Sequence, residues 1–202
     1  MEPEATVAGI LLTGGSSRRM GGYDKPSIRI NGVPLAVRVT GVLGRVASPV
    51  IEVGPGRSGG TVVEELCPGS GPLVAIRDGI RGLRRAGHVG DALVLACDLP
   101  LASEVALRAL TSWPVSGSVV PLIGGRPQPL CARWSANDLD AVEALVDAGA
   151  RAMTALLSRG EVTLVDEESW PAVVDVAAFV DADTPADFDA LGLHWRPQAG
   201  GR

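Results

Sequence analysis

The sequence predicts a single α/β domain in which a mostly parallel sheet lies between two layers of helices. Short apolar runs alternate along the chain with stretches of helical spacing, and this alternation is typical of β–α units. Aromatic residues make up only 3% of the chain, so Ala, Val, Leu and Ile must fill the core, as they do in buried parallel strands. The length of 202 residues suits one such domain and would be short for two.

Three apolar runs supply the predicted centre of the sheet. They are VAGILL at residues 7–12, VIEV at 50–53 and ALVLA at 92–96. Ligands of such sheets bind beyond the carboxyl ends of the strands, so the loops that follow these three runs are expected at one edge. Further strands are predicted at 27–31, 118–122 and 162–165, while 62–66 is too short to assign.

Six helices are predicted from apolar spacing and from the residues at their ends. They span residues 35–46, 74–86, 103–112, 135–147, 151–158 and 186–191. Ser103 and Ser135 stand where an N-cap side chain accepts a backbone hydrogen bond, and Thr184 before Pro185 is typical of a helix start. We assign residues 1–193 to the domain and 194–202 to a flexible C-terminal tail.

The composition argues against several classes of protein. A net charge of −5 disfavours nucleic acid as a partner, because such binding depends on a basic surface. Cys67, Cys97 and Cys131 are far apart in the sequence, and with only two histidines they disfavour a structural zinc site or a disulfide framework. We find no membrane-spanning apolar run and no basic signal-peptide region. We therefore predict a cytoplasmic protein with neither nucleic-acid nor membrane partners.

The most informative stretch follows the first apolar run and reads TGGSSRRMGGYDK, at residues 13–25. Glycine allows backbone N–H groups to approach an anion closely, and Arg18, Arg19 and Lys25 would neutralise phosphate charge. Pro26 follows Lys25 where a P-loop has Ser or Thr, and the Gly-x-Gly-x-x-Gly pattern is absent as well. From these residues alone, a triphosphate cradle and an ordinary turn with a solvated basic face are equal alternatives.

Carboxylates stand at two further positions that suit a ligand edge. Asp98 follows the apolar run at 92–96, where it would hold a divalent cation or simply cap the strand exit. Asp181 and Asp183 share one face if the chain there is extended, so either would supply a second contact to the same cation. The alternative for Asp183 is a role at the start of the next helix. Mg²⁺ fits this pattern because it takes one or two carboxylates together with substrate phosphates.

Together, these motifs resemble those of the molybdenum cofactor guanylyltransferases. LLTGGSSRRMGGYDK resembles their signature Leu-Ala-Gly-Gly-x-x-x-Arg-Met-Gly-x-x-Lys. The resemblance continues in order through GPL (71–73), ALVLACDLP (92–100), GRPQPL (125–130), RAMTALL (151–157) and DADTPADF (181–188). It implies a Rossmann-like three-layer fold of the nucleotide-diphospho-sugar transferase type. It also implies transfer of GMP from GTP to molybdopterin carrying molybdenum, with release of pyrophosphate.

The resemblance assigns roles to individual residues. The nucleotide is expected to contact Leu12, Thr13, Gly14, Gly15, Lys25, Gly71, Pro72, Leu73 and Asp98. The implied catalytic residues are Arg19, Lys25 and Asp98. The implied Mg²⁺ ligands are Asp98, Asp181 and Asp183, of which one of the last two is sufficient. The implied molybdopterin contacts are Arg126, Gln128 and Arg151. GTP and molybdopterin are the implied substrates, and molybdoenzymes are implied as transient partners.

The chain also departs from the family pattern at several positions, of which the second-strand loop and the residues before GPL concern recognition of guanine and ribose. Gly54 or a neighbour stands where Asn is common, residues 68–70 lack the Asp expected before GPL, and Gln128 replaces a common His. The Asp181/Asp183 pair stands where Asn-x-Asn is common. A cytidylyltransferase of molybdopterin, another nucleotidyltransferase of this fold and a non-catalytic nucleotide-binding homologue are the alternatives. The Gly14-Gly15 pair, where cytidylyl relatives carry Ala-Gly, favours guanine.

Overall fold

The computed structural model describes residues 7–14, 24–159 and 161–196, and a mixed sheet forms its centre. The strands are β1 (Ala8–Leu12), β2 (Arg29–Ile30), β3 (Val33–Pro34), β4 (Val50–Val53), β5 (Thr61–Val63), β6 (Ala92–Ala96), β7 (Ser118–Ile123), β8 (Arg126–Pro127), β9 (Cys131–Trp134), β10 (Val162–Asp166) and β11 (Trp195–Arg196). The helices are α1 (Leu35–Leu43), α2 (Pro72–Arg85), α3 (Glu104–Thr111), α4 (Ala136–Asp147), α5 (Thr154–Leu157) and α6 (Pro185–Ala190).

The sheet has the order β10-β7-β9-β6-β1-β4-β5, and its central strands are parallel. The exceptions are β9, which lies antiparallel between β6 and β7, and the short strand β8, which pairs antiparallel with β7. The chain returns from β7 to β9 through the short strand β8 without an intervening helix, and short connections join antiparallel strands. A small separate sheet, β11-β2-β3, is antiparallel. The predicted α/β class with a mostly parallel sheet is confirmed.

Strand β1 is buried along its whole length because it has an apolar layer on each face. Leu11 belongs to one core cluster with residues of α1 and α3, while Ile10 and Leu12 belong to a second cluster with residues of α2 and α4. Neighbouring residues of a strand point to opposite faces, so an uncharged run such as AGILL can serve both clusters. This arrangement gives the three layers that the sequence predicts.

The register of the central strands brings their carboxyl ends to the same level. Leu12 is paired with Val53 of β4 and with Ala96 of β6. The residues that follow these three strands therefore emerge side by side at one edge of the sheet. The expected juxtaposition is confirmed for the described residues at the start of the three loops.

The observed elements differ from the predicted ones mainly at their ends. Helix α1 ends at Leu43, before Gly44, rather than at residue 46. Part of the unassigned stretch at 62–66 belongs to the edge strand β5. Trp195 lies in the predicted tail, but it forms part of β11 and packs against Phe188 with a ring-centroid distance of 5.6 Å. Residues 197–202 lie outside the described ranges. None of the described helices has the length and apolarity needed to cross a membrane.

Candidate active site

The candidate site begins where β1 ends. The Thr13 backbone N–H donates to the Val53 carbonyl at 2.9 Å, and the Leu12 carbonyl accepts from Cys97 N–H at 3.0 Å. These two backbone groups are therefore engaged in the sheet, and Gly14 is the first exposed residue beyond the strand. Gly15, Arg18 and Arg19 lie outside the described residues. The roles assigned to them stay predictions.

Lys25 lies at the far end of the glycine-rich stretch and joins two distant carboxylates. Its Nζ donates to Asp98 Oδ2 at 2.9 Å and to Asp183 Oδ1 at 2.6 Å. Burial alone would lower the pKa of Lys25, but the charges and hydrogen bonds of the two carboxylates raise its pKa above the ordinary value. Lys25 is also the only lysine in the sequence. The structure thus places an ammonium whose charged form is stabilised by two carboxylates at the predicted phosphate edge.

The segment containing Asp181 and Asp183 is fixed against Asp98 by the backbone. Ala182 N–H donates to the Asp98 carbonyl at 2.9 Å. Thr184 caps α6 in a reciprocal capping box with Asp187, whose Oδ2 also accepts from Asp183 N–H at 2.8 Å. The helix start therefore uses the Asp183 backbone and leaves its carboxylate on Lys25. The expected role of Asp183 at the helix start is met by its backbone, while its contact with a metal ion stays a prediction.

Asp181 completes a concentration of negative charge around Lys25. Partial burial raises the pKa of Asp181, and the nearby charges of Asp98 and Asp183 raise it further. Among the described residues, no three His, Cys, Asp or Glu side chains form a ready-made metal cage. Two carboxylates that share one cation instead suit a divalent ion whose other ligands are phosphate oxygens and water. The donor set therefore fits a metal that arrives with a nucleotide.

A cavity of about 430 Å³ lies beside this cluster. Asp98 and Asp181 line one part of it, and Gln128, Leu130 and Thr154 line others. Apart from Asp98, Asp181, Gln128 and Thr154, its lining is largely apolar, so it suits a ligand that is mainly apolar and has a polar end near the carboxylates. A larger groove of about 600 Å³ lies along β5 against arginines of α2, away from this cluster.

The other predicted site residues take different positions. Pro72 lines the cavity, and Leu73 N–H donates to the Arg151 carbonyl at 3.1 Å, which ties the start of α2 to the loop before α5. The Arg151 guanidinium donates to the Val146 and Ala150 carbonyls, so in this structure it caps the end of α4. Arg126 is exposed on β8. The molybdopterin contacts assigned to Arg126 and Arg151 stay predictions.

Glu65 is a candidate site residue that the sequence reasoning missed. A Cβ added at Gly14 would lie 1.6 Å from Glu65 Oε1, so the carboxylate rests directly on the Gly14 backbone. Burial raises the pKa of Glu65, the Gly69 N–H opposes this rise, and the charge of Asp78 adds to it. The family pattern predicts a carboxylate at 68–70, immediately before GPL. The structure supplies one from a position nearer β5.

The absence of Asn near Gly54 also has a geometric reason. Gly54 has a φ of +141°, and a Cβ there would lie 2.4 Å from Thr13 Oγ1 and 2.8 Å from Gly14 N. A side chain at this position would therefore collide with the loop that follows β1. Only glycine accommodates both the backbone conformation and the close approach.

Comparison with known proteins identifies the family. A profile described as the MobA-like NTP transferase domain matches residues 9–163, which is more than half of the chain. The chain belongs to the MobA-like NTP transferase family. The resemblance inferred from the ordered motifs is thereby confirmed, and the protein is an enzyme of the nucleotidyltransferase class.

Relatives of this family match most of the chain. A Mycobacterium bovis protein named "Probable molybdenum cofactor guanylyltransferase" is 35% identical over 167 residues, covering 77% of this chain and 81% of the relative. A Pelotomaculum thermopropionicum protein with the same name is 32% identical, covering 90% and 89%. The solved structure of molybdopterin-guanine dinucleotide biosynthesis protein A from Archaeoglobus fulgidus superposes with a TM-score of 0.71 at 22% identity, covering 91% and 96%. The predicted nucleotide-diphospho-sugar transferase type of fold is confirmed.

Proposed function

We propose that this enzyme transfers GMP from GTP to the terminal phosphate of molybdopterin carrying molybdenum and releases pyrophosphate. The observation that carries the proposal is the position of the Lys25–Asp98–Asp183 cluster. It lies between the end of the glycine-rich stretch and a cavity of about 430 Å³. One side of the cluster suits a triphosphate, and the other side suits an acceptor. The names of the relatives support guanine and molybdopterin as the two partners.

On the nucleotide side, the Glu65 carboxylate is the group best placed to choose the base. It lies against Gly14 at the edge where the loops of β1 and β5 meet. Guanine presents two neighbouring donors, N1–H and the N2 amino group, and an ionised carboxylate presents two acceptors. Cytosine has only one such donor group on its pairing edge. The carboxylate of Glu65 therefore favours GTP over CTP.

At the phosphates, Lys25 supplies a positive charge. Its ammonium would move from the two carboxylates to the triphosphate, because a polyphosphate carries more charge than either carboxylate. Asp98, together with Asp183 or Asp181, would then hold Mg²⁺. A bound Mg²⁺ supplies orientation of the triphosphate and stabilisation of the charge that develops on the leaving pyrophosphate.

On the acceptor side, no general base is required. A phosphate monoester has a second pKa of about 6 and is mostly dianionic at neutral pH, so its oxygen can attack the α-phosphorus directly. The new P–O bond forms as the bond from the α-phosphorus to the bridging oxygen of pyrophosphate breaks. The cavity side chains need only orient the acceptor and exclude water. Burial raises the pKa of the Cys131 thiol to about 12 and also raises that of Cys97, which disfavours the thiolate of both at neutral pH.

The test is turnover of the purified protein with molybdenum-loaded molybdopterin and either GTP or CTP. We expect a guanine dinucleotide and pyrophosphate from GTP, with a clear excess of kcat/KM over CTP. Preference for CTP, or GTP turnover that does not depend on molybdopterin, would overturn the proposal. Contact with molybdoenzymes and a cytoplasmic location stay predictions from the sequence.

A further inference from the structure

Glu52 is a buried carboxylate directly beside the nucleotide edge, and none of the roles described above involves it. Glu52 lies in β4, one residue before the strand ends, and is only 2% exposed. A buried carboxylate is costly unless hydrogen bonds replace its lost hydration. Donors from two different loops provide these hydrogen bonds.

The first donor comes from the loop after β1. Thr13 Oγ1 donates to Glu52 Oε1 at 2.5 Å. The remaining donors come from the loop after β4. Arg57 N–H donates to Oε1 at 2.6 Å, Ser58 N–H donates to Oε2 at 2.8 Å, and the Ser58 hydroxyl also donates to Oε2. Both oxygens of one carboxylate therefore accept hydrogen bonds, and together they join the two loops.

The two loops lie in direct contact at this point. The Gly54 backbone packs so closely on Thr13 and Gly14 that it has no room for a Cβ. Beyond it, Arg57 Nε lies 3.0 Å from Asp24 Oδ2, immediately before Lys25. The 54–58 loop thus contacts the glycine-rich stretch near its beginning and again near its end. The Arg57–Asp24 pair is about half exposed on both sides, so the Glu52 contacts must supply most of the fixation.

We infer that Glu52 is a positioning residue: its carboxylate holds Thr13 and the 54–58 loop together and so sets the shape of the nucleotide pocket. Glu52 acts through these loops and does not touch the nucleotide. The inference rests on the proposed function only for the identity of the nucleotide. Loss of the Glu52 carboxylate should loosen one wall of the pocket, while the groups that bind phosphate and metal remain in place.

The test compares Glu52→Gln with Asp138→Asn as a matched control. Asp138 is also a buried carboxylate, 4% exposed, and accepts hydrogen bonds from the Ser118 and Ser135 hydroxyls. Ser118 begins β7, so this cluster lies at the opposite edge of the sheet from the nucleotide loops. Both changes replace an acceptor oxygen by an amide that opposes the donors around it. Only the first change is expected to affect the pocket.

The measurements are the Kd of GTP with MgCl₂ at equilibrium, the amide hydrogen exchange of Arg57 and Ser58, and the split between KM and kcat. For Glu52→Gln we expect the Kd and KM of GTP to rise about tenfold, the order of one lost hydrogen bond to a charged group, with a much smaller change in kcat. The two amides should exchange faster. Asp138→Asn should lower thermal stability but leave the Kd and KM of GTP, and the exchange of the two amides, unchanged.

A double-mutant cycle separates positioning from general destabilisation. Thr13→Val and Glu52→Gln break the same contact, so their effects on the Kd of GTP should be clearly less than additive. If Glu52→Gln does not fold, Ser58→Ala retains the carboxylate, removes one donor and should raise the Kd about threefold. A folded Glu52→Gln protein with unchanged GTP affinity, or full additivity with Thr13→Val, would overturn the inference. Failure of the proposed function would appear instead in the wild type, as absent GTP binding or absent transfer to molybdopterin.

Discussion

The Lys25 ammonium lies 2.9 Å from Asp98 Oδ2, so the residue that closes the glycine-rich stretch is paired with the carboxylate that follows β6. The pair joins positions that are 73 residues apart, and Asp183 joins the same ammonium from 158 residues away. Three segments of the chain thus meet at one charge. In the proposed reaction, the ammonium must leave the two carboxylates for the phosphates of the nucleotide, and the carboxylates must then bind the metal ion.

The first prediction concerns Asp98→Asn. Loss of this charge should lower kcat/KM for GMP transfer by at least about a hundredfold, the order seen when a group that stabilises transition-state charge is removed. Raising the MgCl₂ concentration should restore part of the activity. The measurement is steady-state turnover, with the exposed Asp147→Asn as the control that should match wild type. Full activity of Asp98→Asn would remove this residue from the metal site.

Lys25→Met should change metal and nucleotide binding in opposite directions. Without the ammonium, Asp98 and Asp183 are left to attract a divalent ion, so Mn²⁺ should bind the nucleotide-free protein more tightly than it binds wild type. GTP should bind at least about tenfold more weakly, because a charge-assisted contact to phosphate is lost. Electron paramagnetic resonance reports free Mn²⁺, and calorimetry reports GTP.

The control for this prediction is Lys25→Arg, which keeps the charge and should leave Mn²⁺ binding weak. Because Lys25 is the only lysine, selective ¹³C-lysine labelling gives a single side-chain signal to follow. That signal should shift when GTP is added to the wild type. Equal Mn²⁺ affinity in the wild type and Lys25→Met would contradict the prediction.

The central strands and the helix caps are predictable from the sequence because their signals are local. The runs VIEV and ALVLA have the observed bounds of β4 and β6, and the side chains of Ser103 and Ser135 cap α3 and α4 as expected. Strand β5 is only three residues long and mostly exposed, which leaves little apolar pattern to detect. The local sequence pattern is therefore sufficient to predict strands that are buried on both faces.

The residues of the candidate site also divide into those that a local sequence signal predicts and those that it does not. Lys25, Asp98 and Asp183 were each predicted, but not their mutual contact, because no local signal links residues so far apart. Glu65 and Glu52 were missed because a carboxylate within an acidic or apolar stretch looks the same whether it faces solvent or a neighbouring loop. Their roles depend on Gly14 and Gly54, whose lack of a side chain allows the close approach. Such contacts become visible only when the strands are in register.

Glu65→Gln tests how the base is chosen. The glutamine amide would direct a donor at the donors of guanine, so KM for GTP should rise about tenfold or more, while KM for CTP should change little. Glu64→Gln is the matched control, since Glu64 is the exposed neighbour in the same loop. Burial and Asp78 raise the pKa of Glu65. As the pH is lowered, the GTP affinity of the wild type should therefore begin to fall at a pH above the range in which ordinary carboxyl groups titrate. Unchanged GTP selectivity in Glu65→Gln would mean that groups other than Glu65 recognise the base.

Gly54→Ala tests the contact between the two loops. The new Cβ would meet Thr13 Oγ1 at 2.4 Å in a backbone conformation with φ of +141°. We expect the free energy of unfolding to fall by about 1–3 kcal/mol, and KM for GTP to rise as Thr13 and Gly14 shift. Gly59→Ala is the control, since Gly59 also has a positive φ of +78° but its Cβ would meet no described atom within 4 Å. It should reproduce the strain without the change in KM.

The pH dependence of stability gives the last prediction. Burial would raise the pKa of Glu52, but the hydrogen bonds from Ser58, Thr13 and the Arg57 backbone outweigh it and lower the pKa below the ordinary value. A carboxyl with a lowered folded-state pKa contributes stability that is present above its unfolded pKa and is lost as the pH falls through the folded pKa. The difference in unfolding free energy between wild type and Glu52→Gln should therefore be constant from about pH 6 to 8 and shrink below about pH 4.5. Urea denaturation at a series of pH values measures this difference, and the loss of stability should track faster exchange of the Ser58 amide. A difference that stays constant down to about pH 3 would mean that the Glu52 charge does not hold the two loops together.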